Sequence, residues 1–242
     1  MDDLNFGKRD QRGHYQPYKP IGYPPVFIWP LKPLKALRWV FSIPGYFLPW
    51  NALYIILGIL LWYCFSPSLE SMQTPSIEIL LLMFARNAAL VGFFYGGFHF
   101  FLYVRRLQDI KFKFNPSWTI SGKKFIFGNQ TVDNIILTFG SGVLIWTTLE
   151  AIILWLAATN RIEVISPNSH PVYFFVVIAT IHLWRDLHFY LVHRLIHWEP
   201  LYSLAHHVHH KNVNPGPWSG LAMHPIEHSL YFSCALLYLL FP

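Results

Sequence analysis

Charged side chains are scarce in this sequence. Asp, Glu, Lys and Arg make up 12% of the 242 residues, about half the usual share in a soluble protein. A large soluble domain needs more charge than this to cover its surface, so that class is disfavoured. Hydrophobic residues reach 54% and aromatic residues 18%, a composition typical of a membrane protein with aromatic side chains at both interfaces.

Cysteine is also rare. Cys64 and Cys234 stand far apart in apolar runs, which gives neither a disulfide framework nor a CxxC metal site. The net charge of +6 does not indicate nucleic-acid binding, because the basic residues lie beside apolar runs. Residues 1–45 hold no apolar stretch long enough for a signal peptide. We therefore expect neither a nucleic-acid partner nor a cleaved leader.

Long apolar runs dominate the rest of the chain. Four of them, at about 46–65, 78–104, 135–158 and 171–184, approach or exceed the ~20 residues that cross a bilayer, and the fourth continues into a histidine-rich segment. A further apolar run, 230–242, is too short to span alone. The sequence predicts an all-α, polytopic membrane protein with about four transmembrane helices and a cytosolic, histidine-bearing helical cap.

Three regions follow from this pattern. Residues 1–45 form a Pro- and aromatic-rich cytosolic arm, mostly irregular, with a short interfacial helix from Leu34 to Phe41. Residues 46–134 hold the first two spans and a basic cytosolic loop, and residues 135–242 hold the other spans and the histidines.

The distribution of basic residues predicts the orientation. Seven Lys and Arg lie in the arm, six between the second and third spans and three after the fourth, whereas the remaining two loops hold only Arg161. The positive-inside rule therefore places the N-terminus and the histidine region in the cytosol. Arg86 and Glu150 lie inside the second and third spans, where they either pair with each other or reach water separately.

Three short groups, HRLIH, HHVHH and HPIEH, hold eight histidines within 36 residues, and seven of the eight are candidate ligands. On a helix, residues four apart share a face, so the members of each group can project together. The Gly- and Pro-rich connector NVNPGPWSGLAM can bend the chain so that the third group approaches the first two. The predicted metal ligands are His193, His197, His206, His209, His210, His224 and His228. Imidazole-rich sites without cysteine suit iron, zinc or copper.

Two polar residues precede the first group on roughly the same helical face as His193. They are Asp186 and Tyr190, seven and three residues before it. A carboxylate in this position can hold the far ring nitrogen of a ligand histidine. We expect both residues to support the ligand rings.

These motifs resemble those of the fatty acid hydroxylase/sterol desaturase superfamily. The stretch from Asp186 to Trp198 is similar to its D-x3-Y-x2-H-R-x2-H signature, LYSLAHHVHHKN is similar to its HxxHH motif, and GLAMHPIEH is similar to its following His-Pro segment. The resemblance covers roughly residues 135–230. It implies two non-haem irons held by the seven histidines above, and the catalytic residues beyond these ligands stay unknown.

The resemblance also implies the activity and its partners. It implies a dioxygen-dependent hydroxylase or desaturase of a fatty acyl chain, sphingolipid or sterol in the endoplasmic reticulum membrane. Electrons would come from NAD(P)H, often through a b-type cytochrome and a reductase. The family carries a further HxxHH near its C-terminus, and no histidine follows His228 here, so we expect the chain to be truncated. The alternatives are an inactive, truncated membrane scaffold and a zinc-dependent membrane hydrolase with Glu227 as its base.

Overall fold

The computed structural model of the chain describes residues 7–11, 15–18 and 22–239. Arg12 and Lys19, which entered the charge distribution, and the end of the last apolar run at 240–242 lie outside this part. Two short antiparallel strands, β1 (Gly7–Arg9) and β2 (Tyr15–Pro17), open the described chain. The sequence predicts a mostly irregular arm here. The arm ends in helix α1 (Pro33–Phe41), close to the predicted interfacial helix.

Four long helices are apolar enough to cross a membrane: α2 (Phe47–Phe65), α3 (Ile77–Val104), α4 (Gln130–Ala158) and α5 (Pro171–Ile196). Their ends follow local sequence. Ser76 and Asn129 cap α3 and α4 by accepting backbone N–H groups, and Pro171 opens α5 where no backbone donor is needed. Helix α4 begins at Gln130, so the predicted regional boundary at residue 134 falls inside it.

Two short helices follow α5. Residues 199–210 form α6, in which Tyr202–His206 winds as a π-helical turn between α-helical ends. The connector contains a 3-10 turn at Pro217–Leu221 and leads into α7 (Pro225–Phe232). The chain then continues as a 3-10 helix, Ser233–Leu239. The mostly helical fold and the four membrane-length helices confirm the predicted fold class.

Helices α3 and α4 pack against each other through apolar and polar side chains. Arg86 and Glu150 form an ion pair within the two spans, with side chains 11% and 25% exposed. Asn87 extends the pair by donating to Glu150 at 2.9 Å and to Thr147 at 3.1 Å. Of the two alternatives that the sequence left open for Arg86 and Glu150, the structure therefore shows the pair.

Buried amides hold the connector against the start of α4. Gln130 is fully buried, and its Nε2 donates to Asn212 Oδ1 at 3.0 Å and to the Asn214 carbonyl at 2.8 Å. Its Oε1 accepts the backbone N–H of Ile120 at 3.1 Å. Asn134, one turn later, donates to Ser219 Oγ at 3.0 Å. These bonds satisfy polar groups that would be costly to bury alone, and they fix the path between the second and third histidine groups.

Candidate metal centre

The first two histidines stand at the C-terminal end of α5. His193 and His197 are one helical turn apart, and their Nε2 atoms lie 3.1 Å from each other. Since α5 is continuous from Pro171 to Ile196, these imidazoles lie at the C-terminal end of a helix long and apolar enough to cross a membrane.

Helix α6 brings two more imidazoles to the same point. The Nε2 atom of His206 lies 3.3 Å from that of His197 and 2.9 Å from that of His210. The ring of His206 also contacts His193, with centroids 5.0 Å apart. Four imidazoles from two helices therefore converge.

The donor set fits a metal ion. Nitrogen ligands lie about 2.1 Å from a transition metal, which puts two of them about 3.0–3.4 Å apart. The observed Nε2 separations of 2.9, 3.1 and 3.3 Å are close to that range, and ligand atoms of His193, His197 and His206 all lie within 4.8 Å of one another. A ring nitrogen carries at most one proton, so hydrogen bonds satisfy these contacts less well than one shared cation does.

An acid from α7 orients His206. Glu227 Oε1 lies 2.8 Å from His206 Nδ1, and the two residues are 3% and 0% exposed. When Nδ1 donates its proton to the carboxylate, the lone pair of Nε2 points into the cluster. Sequence reasoning gave Glu227 only the role of a hydrolase base. The available signal was that Glu227 is the only acid in helix α7 and directly precedes His228.

Burial sets the protonation of this region. It lowers the pKa of His206 to about 4 and also lowers the pKa of His209, while it raises the pKa of Glu227 to about 7. The two imidazoles are therefore neutral at physiological pH. Neutral imidazole is the form that binds metals.

His209 stacks on the ring of His206, with centroids 5.7 Å apart, and lines a cavity beside the cluster. The cavity holds about 260 Å³ and is bordered by His193, Phe189, Met223 and Tyr231. Within the described residues, two buried polar atoms of its lining lack a hydrogen-bond partner, His209 Nδ1 and Glu227 Oε2. We refer to this cavity as the chamber.

The third histidine group is engaged elsewhere. His224 caps α7, where its Nδ1 accepts the backbone N–H of Ile226 at 3.2 Å. His228 is fully buried, with Nδ1 2.8 Å from Ser141 Oγ and Nε2 3.1 Å from the Leu221 carbonyl. The structure thus places both ring nitrogens of His228 against protein groups outside the four-imidazole cluster.

The two expected supporting residues bond to arginines of their own helix. Asp186 pairs with the neighbouring Arg185 at 2.6 Å, and both side chains are more than half exposed. Tyr190 accepts a hydrogen bond from Arg194 at 3.0 Å. The supporting contact that the structure does show is that of Glu227 with His206.

Comparison with known proteins identifies a family whose model the histidine-bearing segment matches. Residues 176–242, which contain all seven histidines, match the fatty acid hydroxylase family model. The match covers 67 of the 242 residues, so the histidine-bearing segment is similar to this family over that part of the chain. The resemblance drawn from its motifs is thereby confirmed.

The curated relatives within this superfamily are fungal. The chain is 40% identical over 45 residues to a delta(7)-sterol 5(6)-desaturase of Gibberella zeae, a match that covers 19% of this chain and 14% of the relative. It is 41% identical over 44 residues to one of Aspergillus fumigatus (18% and 14%) and 40% identical over 60 residues to one of Eremothecium gossypii (25% and 16%). The matches thus span about one seventh of each relative's length. No solved structure matches the chain.

Proposed function

We propose that this chain carries the metal centre of a membrane-bound oxidoreductase that hydroxylates or desaturates a lipid. The observation that carries the proposal is the convergence of four imidazole Nε2 atoms at the end of a membrane-length helix. The match of the histidine-bearing segment to the fatty acid hydroxylase family model supports the class of reaction. A sterol is the first substrate to test, because the curated relatives are named as sterol desaturases.

The residues of the cluster have separate tasks in this proposal. His193, His197 and His206 would hold one iron, His210 is a further candidate ligand beside His206, and Glu227 would keep the proton of His206 on Nδ1. Bound iron would supply the activation of dioxygen that oxidation of an unreactive C–H bond requires. A second iron is part of the proposal. Of the predicted ligands, His209 and His224 would remain for it, and His228 would have to exchange its contacts with Ser141 and Leu221 to join them.

The surroundings of the cluster favour an apolar substrate. A second cavity of about 560 Å³, lined mainly by apolar side chains, follows α5 and shares Arg185 with the chamber. One ridge of α5, with residues four apart, lines first this cavity and then the chamber. Its members are Tyr173, Val177, Ile181, Arg185, Phe189 and His193. A lipid in the bilayer can follow this ridge to the histidines, because the ridge lies on a membrane-length helix.

The cellular setting is part of the same proposal. The protein lies in the endoplasmic reticulum membrane with its histidines on the cytosolic side, as the distribution of Lys and Arg indicates. Electrons reach it from NAD(P)H through a reductase and a b-type cytochrome.

Metal analysis of the purified 242-residue chain tests the centre. We expect bound iron, and a sharp loss of iron in a His206→Ala variant that still elutes as folded protein. A chain that binds zinc alone and consumes no dioxygen with any membrane lipid would support the hydrolase alternative. A folded chain that binds no metal would leave the scaffold alternative and overturn the proposal.

The reaction needs its own assay. Membranes that contain the chain, supplied with NADPH and a Δ7-sterol, are compared with membranes that contain the His206→Ala variant. We expect a hydroxylated or newly unsaturated lipid that depends on dioxygen and on His206. If iron is bound but sterols and acyl lipids are both unchanged, the metal centre stands and the assigned reaction fails.

A further inference from the structure

A basic loop joins α3 to α4, on the side of the molecule where the connector lies. Residues 105–129 hold six Lys and Arg and one acid, Asp109, for a net charge of +5. Within the described residues, none of these six cations forms a salt bridge with a carboxylate. The loop therefore presents uncompensated positive charge at the end of a membrane-length helix.

Aromatic rings take the place of carboxylates as neighbours of these cations. Arg106 lies 4.3 Å from the ring centroid of Trp118, and Lys124 lies 5.0 Å from that of Phe125. Arg105 and Lys111 rest on Phe rings at 5.8 and 5.2 Å. Cations that lie on aromatic faces beside a span are typical of the membrane–water interface, where the rings sit at headgroup level.

Lys113 is the most firmly positioned of the six cations. Its Nζ lies 4.4 Å from the ring of Tyr103 and 4.5 Å from that of Trp118, and it donates to Tyr103 Oη at 3.0 Å. Tyr103 is fixed in turn, because its hydroxyl donates to the Pro215 carbonyl at 2.8 Å. Burial lowers the pKa of Lys113, and the positive charge of the nearby Arg106 lowers it further. An anion beside Lys113 would therefore stabilise its charged form.

Lys113 borders a cavity of about 390 Å³ whose two ends differ in chemistry. Lys113 and Gln108 line the loop end, and Asp109 is the one acid of the lining. Tyr95, Phe98 and Leu102, on one face of α3, line the end within the membrane-length helix. An amphiphile with an anionic head and an apolar tail matches both ends.

We propose that this cavity binds an anionic phospholipid, with its phosphate against Lys113 and an acyl chain along Tyr95, Phe98 and Leu102. Charge complementarity selects the anionic headgroup. Basic clusters directly beside a span attract such lipids by about 1 kcal/mol per cation near the surface. The site is separate from the histidine cluster and does not depend on the proposed reaction.

Lipid retention tests the proposal. The full chain is reconstituted in phosphatidylcholine nanodiscs with and without phosphatidic acid, transferred to detergent, and its retained lipids are counted by native mass spectrometry. We expect retention of phosphatidic acid in preference to phosphatidylcholine. Lys113→Met should lower that retention about five-fold, whereas Lys123→Met should leave it nearly unchanged. Lys123 is exposed and lies in the same loop, but it does not line the cavity.

A second variant covers the case in which Lys113→Met fails to fold. Leu102→Trp fills the apolar end and leaves every charge in place, so it should also lower retention. Equal losses in the Lys113 and Lys123 variants would show a diffuse charge effect and overturn the site. Equal retention of both phospholipids, full retention by Leu102→Trp, or displacement of the lipid by inorganic phosphate would overturn it as well.

Discussion

Glu227 Oε1 and His206 Nδ1 lie 2.8 Å apart, in a pair of side chains with almost no exposure to solvent. The contact joins α7 to α6 across 21 residues and ties the third histidine group to the cluster through an acid rather than an imidazole. The orientation of His206, and with it the binding of the metal, is therefore expected to depend on a residue outside the ligand set.

Two substitutions of Glu227 distinguish its role in orienting the His206 ring from its role in packing. Glu227→Ala removes the acceptor of the His206 Nδ1 proton and should lower iron affinity about 10- to 100-fold, the usual effect of losing such a partner. Glu227→Gln keeps a carbonyl acceptor and should lose much less. The measurement is iron retained against a competing chelator. Equal losses in the two folded variants would contradict an orienting role.

The adjacent residues His206 and His207 offer a matched test of metal binding, with His207 as the control position. His206 Nε2 lies within 3.3 Å of two other Nε2 atoms, whereas His207 is not part of the cluster. His206→Ala should remove most of the bound iron and His207→Ala should retain most of it, as metal analysis of the two purified variants would show. Loss of iron in both variants would indicate that α6 itself is disrupted.

The ion pair between α3 and α4 should show strong coupling. Arg86→Met or Glu150→Gln alone leaves a polar or charged group without its partner inside the two spans, at a cost of about 3 kcal/mol. The double variant removes both charges and should be more stable than the sum of the single losses predicts. Thermal denaturation of the four proteins in the same detergent measures this coupling. Additive losses would mean that the pair contributes little.

Gln130 should be important for the stability of the connector. Gln130→Leu removes the donor to the Asn214 carbonyl, the acceptor of the Ile120 N–H and one of two donors to Asn212 Oδ1, a loss on the order of 2–4 kcal/mol. Thr148→Ala is the control, because the exposed Thr148 hydroxyl bonds only to its own helix at Leu144. A large drop in melting temperature is expected only for the Gln130 variant.

The metal-free protein should lose stability in mild acid. Burial lowers the pKa of His228 to about 4, whereas an unfolded histidine titrates near 6.5. Between those values the unfolded chain binds the proton more readily, so stability is fully present above about pH 6.5 and is lost as pH falls towards 4. The loss for one such histidine is about 3 kcal/mol.

Melting temperatures at about pH 7.5 and about pH 5 measure this effect. His228→Gln should reduce the difference between the two temperatures but leave part of it, because burial also lowers the pKa of His206 and His209. An unchanged difference would show that His228 does not contribute.

The four spans and the His193–His197 pair follow directly from the sequence. Apolar length determines which segments can cross a bilayer, and a spacing of four residues determines which side chains share a helical face. The approach of His206 and His210 to each other was predicted for the same reason, since they lie four residues apart. In each case the interacting residues lie on one helix or one continuous run, so local rules suffice.

The remaining parts of the site depend on contacts between segments that are distant in sequence. The contact between His228 and Ser141 crosses 87 residues, and it needs Gly142, where a Cβ atom would lie 2.9 Å from His228 Nε2. The π-helical turn at Tyr202–His206 is also not visible in the histidine spacing. Such features depend on packing between helices, which periodicity does not specify.

Helix α5 is one uninterrupted rod of 26 residues. At 1.5 Å per residue it measures about 39 Å, roughly 9 Å more than the hydrocarbon thickness of a bilayer. Any change of tilt that adapts this rod to a thicker or thinner membrane also displaces His193 and His197. His206 and His210 lie on α6, a different helix, and are displaced less. We therefore expect hydrophobic mismatch to alter the separation of the two imidazole pairs. The affinity for the metal would then depend on the thickness of the bilayer.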